Sequence, residues 1–575
     1  MIAASAPAGP VADLAPADSI LLIEVDDYAG FRDALARTPI GAFLHEPDVQ
    51  DWFASYWTSD AETWRAQTAR RGLDPDDLPR PAGAVGLALW ADRSAASPMV
   101  AHALLYAEMG PDADLFERSL DALIDSARAG GDAESSAVRL AGREARRVTL
   151  TNVTAAARAG DAQAVVLADT FTLVRVGDAF LASTDPEELA RALDRLDGAR
   201  ADGASSGDAY RDAAERLGPA HVRATLVGEP LLDALDRLTR SDAVVEAAGG
   251  VRYDARALAG ALGFASVRAV ALGATLGAPS APMRARAVVL SPANDGLLGL
   301  FDDAGEGLDA PAAVGADALD VRRFGLRYER VIPMLLGVVE ALPPRQREQA
   351  RAMAGLLTAA VGPVFQSIGP ETTLARWRTE DAATGGQRGL MRVRVVSEDA
   401  LAAALGRVGR LIGLRARADA SARVWTMGSG QALALDDGAM TIADRDAVAA
   451  AVAARPVWGE ASLADSPRFR RAVGRLSPGA VFYSFTNLEE NVRWLGWREA
   501  HWADLLRAEL DDLGLPPAEI ERWIEEERAR REARGPARWP KPETVARHLG
   551  DAVAEVRSTP WGFEYRGWVL APGDE

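Results

Sequence analysis

A chain of 575 residues exceeds one ordinary domain, and 48% hydrophobic with 26% charged residues is a globular composition, not a disordered one. A net charge of −19 opposes binding to nucleic acid or to an anionic lipid surface over most of the molecule. The absence of cysteine excludes disulfides, thiolate catalysis and cysteine-ligated metals. Lysine occurs once, at Lys541, so nearly all positive charge is arginine. With abundant Ala, Gly and Arg, this reads first as the bias of a high-GC bacterial genome and second as arginine-specific recognition.

The chain opens with "MIAASAPAGPVADLAPADS". Ala6-Pro7-Ala8 has the A-x-A look of a signal-peptidase site, but a charged n-region and an apolar h-region are missing. Two readings stay open: a true signal upstream of Met1, or a plain disordered terminus over residues 1–12. "PADSILLIEVDDYAGFRDAL" follows as a strand feeding a helix. Trp52, Phe53, Tyr56, Trp57 and Trp64 then fall in a short helical stretch, with Phe53, Trp57 and Trp64 at spacings that give one aromatic face.

"VRVGDAFLASTDPEELARAL" reads as strand, Gly-Asp turn, strand and a helix opened by acidic residues, which suit the positive end of the helix dipole. "GDAYRDAAERLGPAHVRATLVG" is a helix, a Gly-Pro turn and an alternating strand. "RARAVVLSP" closes this first set.

The same order then recurs. "DDAGEGLDAPAAVGAD" reads as the joining linker, and "GADALDVRRFGLRYERVIPML" repeats the opening strand and helix. "AMAGLLTAAVGPVF", 14 residues with an internal proline, is too short to span a bilayer and reads as a buried core helix. "GLMRVRVVS" alternates, as a strand with one solvated face does. "LALDDGAMTIADRDAVAAAV" matches the first strand–turn–strand–helix. "SPRFRRAVGRLSPGAVFYSFTN" matches the helix–turn–strand without gaps, pairing Tyr210 with Phe469 and Val222 with Val481. "EYRGWVLAP" sets Arg566 on Arg286 and Pro572 on Pro292.

The expected fold is therefore α+β, a tandem duplication of a unit with antiparallel sheet and helices packed on one side of it. The units run over 13–308 and 309–575. The copies part after Phe482, where the second carries a helical insert at about 494–540. The insert reads as two helices, one from Arg498 to Leu513 and one opening after Pro516-Pro517. "EEERARREAR" ends it with Glu and Arg at i,i+4 spacing along a solvated face.

"LAPADSILLIEVDDYAGFRDALARTPIGAFLHEPDVQDWF", "SLADSPRFRRAVGRLSPGAVFYSF" and "LGFASVRAVALGAT" resemble segments of secreted bacterial proteins classed as domains of unknown function. The shared pattern is a Pro-Ala-Asp strand, a helix, then "T-P-[small]-G" and a "D/E-P-x-[VL]" helix start. The likeness covers most of the chain. It implies an extracytoplasmic location and no particular site residues or activity.

Catalytic patterns are absent from the sequence. "TMGSGQA" around Ser429 lacks the spacing of a nucleophile elbow. No P-loop or dinucleotide fingerprint occurs, and "DAATGGQRG" reads as a loop. "FDDAGEG" lacks the ligand spacing of a calcium loop. None of the five histidines lies within four residues of another; the best His–carboxylate pair is His501 with Asp504, at i,i+3 on an expected helix, and a solvated helix surface explains it. No catalytic residue, metal or cofactor is assigned.

The 14 tryptophans are many beside 8 tyrosines and 14 phenylalanines. Trp494, Trp497, Trp502 and Trp523 lie in the insert and are the candidate partner-binding residues, against core packing as the plainer reading. The functional expectation is a non-enzymatic extracytoplasmic binding or structural protein of the bacterial envelope, with a protein or polysaccharide partner. The alternatives are a carrier of an apolar ligand between sheet and helices, and a hydrolase with an unrecognised site.

Overall fold

In the computed structural model, which describes residues 10–53, 79–92, 99–151, 165–278, 281–305, 307–379, 386–412, 415–418, 423–426, 431–453, 461–534 and 539–572, hydrophobic alternation becomes one long sheet. The first half supplies β1 (Leu21–Val25), β2 (Val85–Ala91), β3 (Met99–Glu108), β4 (Ala133–Leu140), β5 (Arg143–Leu150), β6 (Val165–Leu167), β7 (Thr170–Val176), β8 (Ala179–Ser183), β9 (Val222–Val227), β10 (Ala269–Ala278) and β11 (Ala281–Leu290). The second supplies β12 (Phe301–Asp302), β13 (Ala318–Leu326), β14 (Ile368–Arg378), β15 (Gln387–Val395), β16 (Arg415–Ala418), β17 (Arg423–Thr426), β18 (Gln431–Asp436), β19 (Ala439–Asp444), β20 (Phe482–Thr486), β21 (Ala552–Thr559) and β22 (Gly562–Val569).

Ten strands of the first half lie side by side in the order β4-β5-β7-β8-β3-β2-β1-β9-β10-β11, all antiparallel. Ten of the second lie in the order β16-β17-β18-β19-β15-β14-β13-β20-β21-β22. Position by position, the two orders are the same. β11 pairs with β22 and joins them into an antiparallel sheet of 20 strands. No pairing among the described residues links β4 to β16, so hydrogen bonds do not close this file.

The joint is symmetric. Arg286 faces Arg566, Ala285 faces Gly567 and Ala287 faces Tyr565, so a local two-fold axis passes between the two arginines. Isolated bridges recur as well, Pro16 with Gly203 and Gly315 with Ser462. Tyr210 and Phe469 lie buried in like helices, and Arg286 and Arg566 lie in like strands. This is the arrangement a duplicated unit would give.

The gapless sequence pairing fails one element later. Arg286 faces Gly273, which faces Arg223; Arg566 faces Glu555, which faces Tyr483. Arg223 thus occupies the place of Tyr483, and Val222 does not match Val481. The second turn is one residue longer. With a side-chain period of two, that slip exchanges the two faces of the strand.

The helices are α1 (Pro10–Leu14), α2 (Tyr28–Ala36), α3 (Pro39–Leu44), α4 (Ala113–Ala129), α5 (Pro186–Leu196), α6 (Asp208–Leu217), α7 (Gly228–Arg240), α8 (Asp242–Ala247), α9 (Ala255–Ala261), α10 (Val331–Ala341), α11 (Pro344–Phe365), α12 (Glu398–Ile412), α13 (Arg445–Val452), α14 (Pro467–Val473), α15 (Leu488–Ala500), α16 (Trp502–Asp512), α17 (Pro517–Arg534) and α18 (Pro542–His548). The acidic openings read from the sequence are N-caps. Asp185 accepts from the N–H groups of Glu187 and Glu188 at the start of α5, and Asp444 accepts from Ala447 N–H at the start of α13.

Helices cover both faces of the sheet, not one. On β5, Ala145 joins the core beneath α1, α5 and α6, while Val148, three residues on, joins Ile124 of α4. On β18, Leu433 and Leu435 pack under α12, and Ala432 and Ala434 under α13. The cover is not continuous, since Leu105 on β3, Leu272 on β10 and the Arg394 side chain on β15 stay more than half exposed.

Three further expectations change. Residues 10–12 belong to the fold, since Val11 and Ala12 on α1 are buried against β2, where a Cβ on Gly86 would collide with Val11. The joining stretch is no free linker, because Ala304, Leu308 and Val314 enter the second half's core. "AMAGLLTAAVGPVF" is not a core helix: in α11 only Gly362 is buried.

Helices also cluster at the two ends of the strands. α2 and α3 leave the end of β1, and α15–α18 lie between β20 and β21 at that same end, where α3 packs on α18. At the other end α7–α9 follow β9 and α10–α11 follow β13, and α9 packs on α10. Each half thus docks on the other at both ends. The first half also carries helices at the place of the supposed insert, so the halves differ there in length and not in kind.

Candidate functional site

The helical segment after β20 begins at Asn487, whose side chain accepts from Glu490 N–H and caps α15. The expected single helix from Arg498 to Leu513 is broken at His501, where α15 ends and α16 begins. His501 Nδ1 lies 2.9 Å from the Trp497 carbonyl oxygen, and its ring stacks on Trp497 at 4.5 Å. Asp504 turns away to pair with Arg507 at 3.0 Å. Among the described residues no group of three or more His, Asp or Glu is placed to hold a metal.

The four candidate tryptophans do not form one surface. Trp494 is half-buried with Arg498 over its ring at 5.0 Å. Trp497 packs on Gly386 at the β14–β15 hairpin, where a Cβ would fall inside the ring's contact distance. It docks α15 on the sheet. Trp523 on α17 is 40% exposed and stands apart. Of the four, Trp502 lines a cleft.

That cleft has a volume of about 930 Å³ and lies between α15, α16, α17 and residues 539–542. Trp502 and Trp539 are its aromatic residues. Arg493, Arg528, Arg531 and Lys541 line it with Glu499 and Glu532, and Glu489, Glu490, Glu525 and Glu527 pair with its arginines from outside the lining.

The arginines are held from within. Arg531 lies over the Trp502 ring at 4.6 Å and pairs with Glu499 at 2.6 Å. Arg493 pairs with Glu489 and Glu490 at 2.8 and 2.5 Å, and Arg528 pairs with Glu525. Lys541 makes no salt bridge among the described residues, though its charge helps lower the Asp48 pKa. A fixed arginine–tryptophan floor beside the Lys541 ammonium suits an anionic group carried on an apolar or ring-bearing segment.

The rim is fixed from the first half. Asp48 accepts from Lys541 N–H at 2.7 Å and from Thr544 Oγ1 at 2.8 Å. Burial pushes the Asp48 carboxyl up, but these two bonds and the Lys541 charge outweigh it, and its pKa is lowered. Glu46 meets His548 Nε2 at 2.5 Å and Arg547 at 2.8 Å; its pKa is lowered, first by the hydrogen bond from His548. Trp52 lies 5.5 Å from Trp539, ring to ring. Tyr56, Trp57, Trp64, Ser429 and Ala6-Pro7-Ala8 fall outside the described residues.

Sequence reasoning missed Trp539 and Lys541. The signal for Lys541 was present, since it is the single lysine of the chain, but genome bias explained it without a site.

Comparison with protein-family models, with curated proteins and with solved structures gives no match for this chain.

Proposed function

We propose that the protein is a non-enzymatic binding protein of the bacterial envelope, located outside the cytoplasm, and that it holds an anionic segment of an envelope partner in the cleft at α15–α17. The observation that carries this reading is the meeting of Trp502 and Trp539 with the Arg531 guanidinium and the chain's single lysine, Lys541, in one cleft. Long-range repulsion would discourage most acidic partners, and the Lys541 ammonium beside the arginine–tryptophan floor would select the one segment that fits. The apolar-carrier reading is weaker, because the space between sheet and helices is filled by side chains such as Leu104, Leu181, Leu189 and Tyr210.

Pull-down of envelope fractions tests the proposal. Lys541→Glu should lose capture at least tenfold at low salt, and raised salt should weaken capture by the parent chain. A chain with residues 498–536 replaced by a short Gly/Ser linker should fold and capture nothing. Capture that survives both changes would place the contact elsewhere. Protease and glycosidase treatment of the fraction separates a protein partner from a polysaccharide. Recovery of the native protein only in cytosol would overturn the envelope location.

A further inference from the structure

Four cations line the cleft between α15, α16, α17 and residues 539–542, yet six carboxylates meet them. Glu499 and Glu532 are in the lining, and Glu489, Glu490, Glu525 and Glu527 pair with Arg493, Arg528 and Arg531 from outside it. A dense polyanion would feel those carboxylates as well as the arginines. Glu532 is exposed and makes no hydrogen bond or ion pair among the described residues. An ionised carboxylate only accepts hydrogen bonds, so Glu499 and Glu532 select a ligand that donates them.

Arg531 offers the complementary half. It gives Nη1 to Glu499 and Nε to Glu527, and its Nη2 makes no bond among the described residues. Held over the Trp502 ring at 4.6 Å, the Arg531–Glu499 pair sets donor and acceptor side by side. Neighbouring hydroxyls on a sugar ring match such a pair, because each hydroxyl both donates and accepts. Trp502 and Trp539 add ring faces of negative potential, on which the C–H groups of a sugar can stack.

On the reading that this cleft is where the chain binds its partner, we propose that the occupant is an acidic polysaccharide of uronic-acid type, with one carboxylate on each hydroxyl-bearing ring. One ring's carboxylate meets the Lys541 ammonium, hydroxyls meet Glu499, Glu532 and Arg531, and ring faces meet the tryptophans. The volume of about 930 Å³ lies at the upper end of the range of about 300–1,000 Å³ for small-ligand clefts, so a short stretch of such a chain fits. A polyphosphate brings no hydroxyl donors, and a run of acidic side chains on a peptide brings neither hydroxyls nor ring faces.

Isothermal titration calorimetry on the full chain at low salt tests the proposal with a galacturonic-acid hexamer, an inorganic polyphosphate and a glutamate hexamer. The hexauronate should bind, and the other two should bind at least about tenfold more weakly. Its methyl-esterified form should lose about tenfold, the share carried by Lys541. Trp502→Ala should weaken hexauronate binding about tenfold. Glu532→Ala discriminates further, because it removes an acceptor and a negative charge together. A ligand held by charge alone would bind that variant more tightly, whereas a sugar that has lost an acceptor should bind about fivefold more weakly. Glu532 is exposed, so melting should not change. Tighter hexauronate binding by Glu532→Ala, or a preference for polyphosphate or the glutamate hexamer, would overturn the uronate assignment and leave the anionic-cleft reading standing. So would silence of all three probes while envelope capture still depends on Lys541. Silence of all three with capture indifferent to Lys541→Glu would overturn both.

Discussion

Glu24 on β1 is 3% exposed and must be satisfied from within. Its Oε2 accepts from Tyr210 Oη at 2.7 Å and its Oε1 from Ala12 N–H at 3.1 Å. Burial pushes its pKa up, opposed by the Tyr210 hydrogen bond and by Arg223. In the second half Phe469 takes the place of Tyr210, and the strand offers Arg323 and Tyr483 instead. Tyr210→Phe therefore imports a side chain that suits one half into the other, and leaves a buried carboxylate oxygen without its donor. A loss of about 1–3 kcal/mol is expected in urea denaturation. A loss within a few tenths would mean that Glu24 is satisfied otherwise. The pH dependence has a definite sign. The folded chain holds the Glu24 proton more tightly than the unfolded chain, so this group adds stability as pH falls from its folded value toward about 4.3. Glu24→Gln should remove that gain, and unchanged curves for parent and variant would refute the assignment.

At the scale of elements, the joint between the first half and α18 decides whether the cleft has a fixed rim. Asp48 holds both the backbone of Lys541 and the Thr544 hydroxyl. Asp48→Ala should cost up to about 1 kcal/mol near neutral pH, the site being partly solvated. The lowered pKa fixes the window: the contribution is present above about 3.9 and is lost as pH falls through the folded value. Denaturation at two pH values measures this, and an equal loss at both would show a packing effect instead. This joint was not legible in the sequence, because Asp48 and Lys541 lie 493 residues apart and no local pattern links them. Local patterns did reveal the acidic helix openings at which Asp185 and Asp444 cap, the hairpin turns, and the helix–turn–strand around Tyr210 and Phe469. What failed was register: one extra turn residue is invisible to side-chain similarity yet exchanges strand faces. Apolar content also misled, since α11 has a core composition and an exposed position.

At the scale of the whole molecule, the question is whether the halves are separate domains, as a repeated sequence would suggest. The β11–β22 ladder argues against separation, because each strand would otherwise be a long open edge. The reciprocal docking of α3 on α18 and α9 on α10 argues the same way. At the centre, Glu564 accepts from Arg286 at 2.8 Å and from Arg566 at 2.9 Å, so one carboxylate bridges two cations that face each other across the axis, with Glu555 3.9 Å from Arg566. Burial pushes its pKa up, but Arg566 and Arg286 outweigh that and hold it lowered. Glu564→Gln should leave the two arginines with Glu555 alone as counter-charge, at about 1–3 kcal/mol after allowance for their partial exposure. That cost should be present above about 4.3 and fade as pH falls through the folded value of Glu564. In calorimetry the parent should show one transition, because neither half can open without stripping the seam, and Glu564→Gln should shift that transition down undivided. Two resolved transitions in the parent, or a variant in which only one of two moves, would show that the halves are independent domains after all.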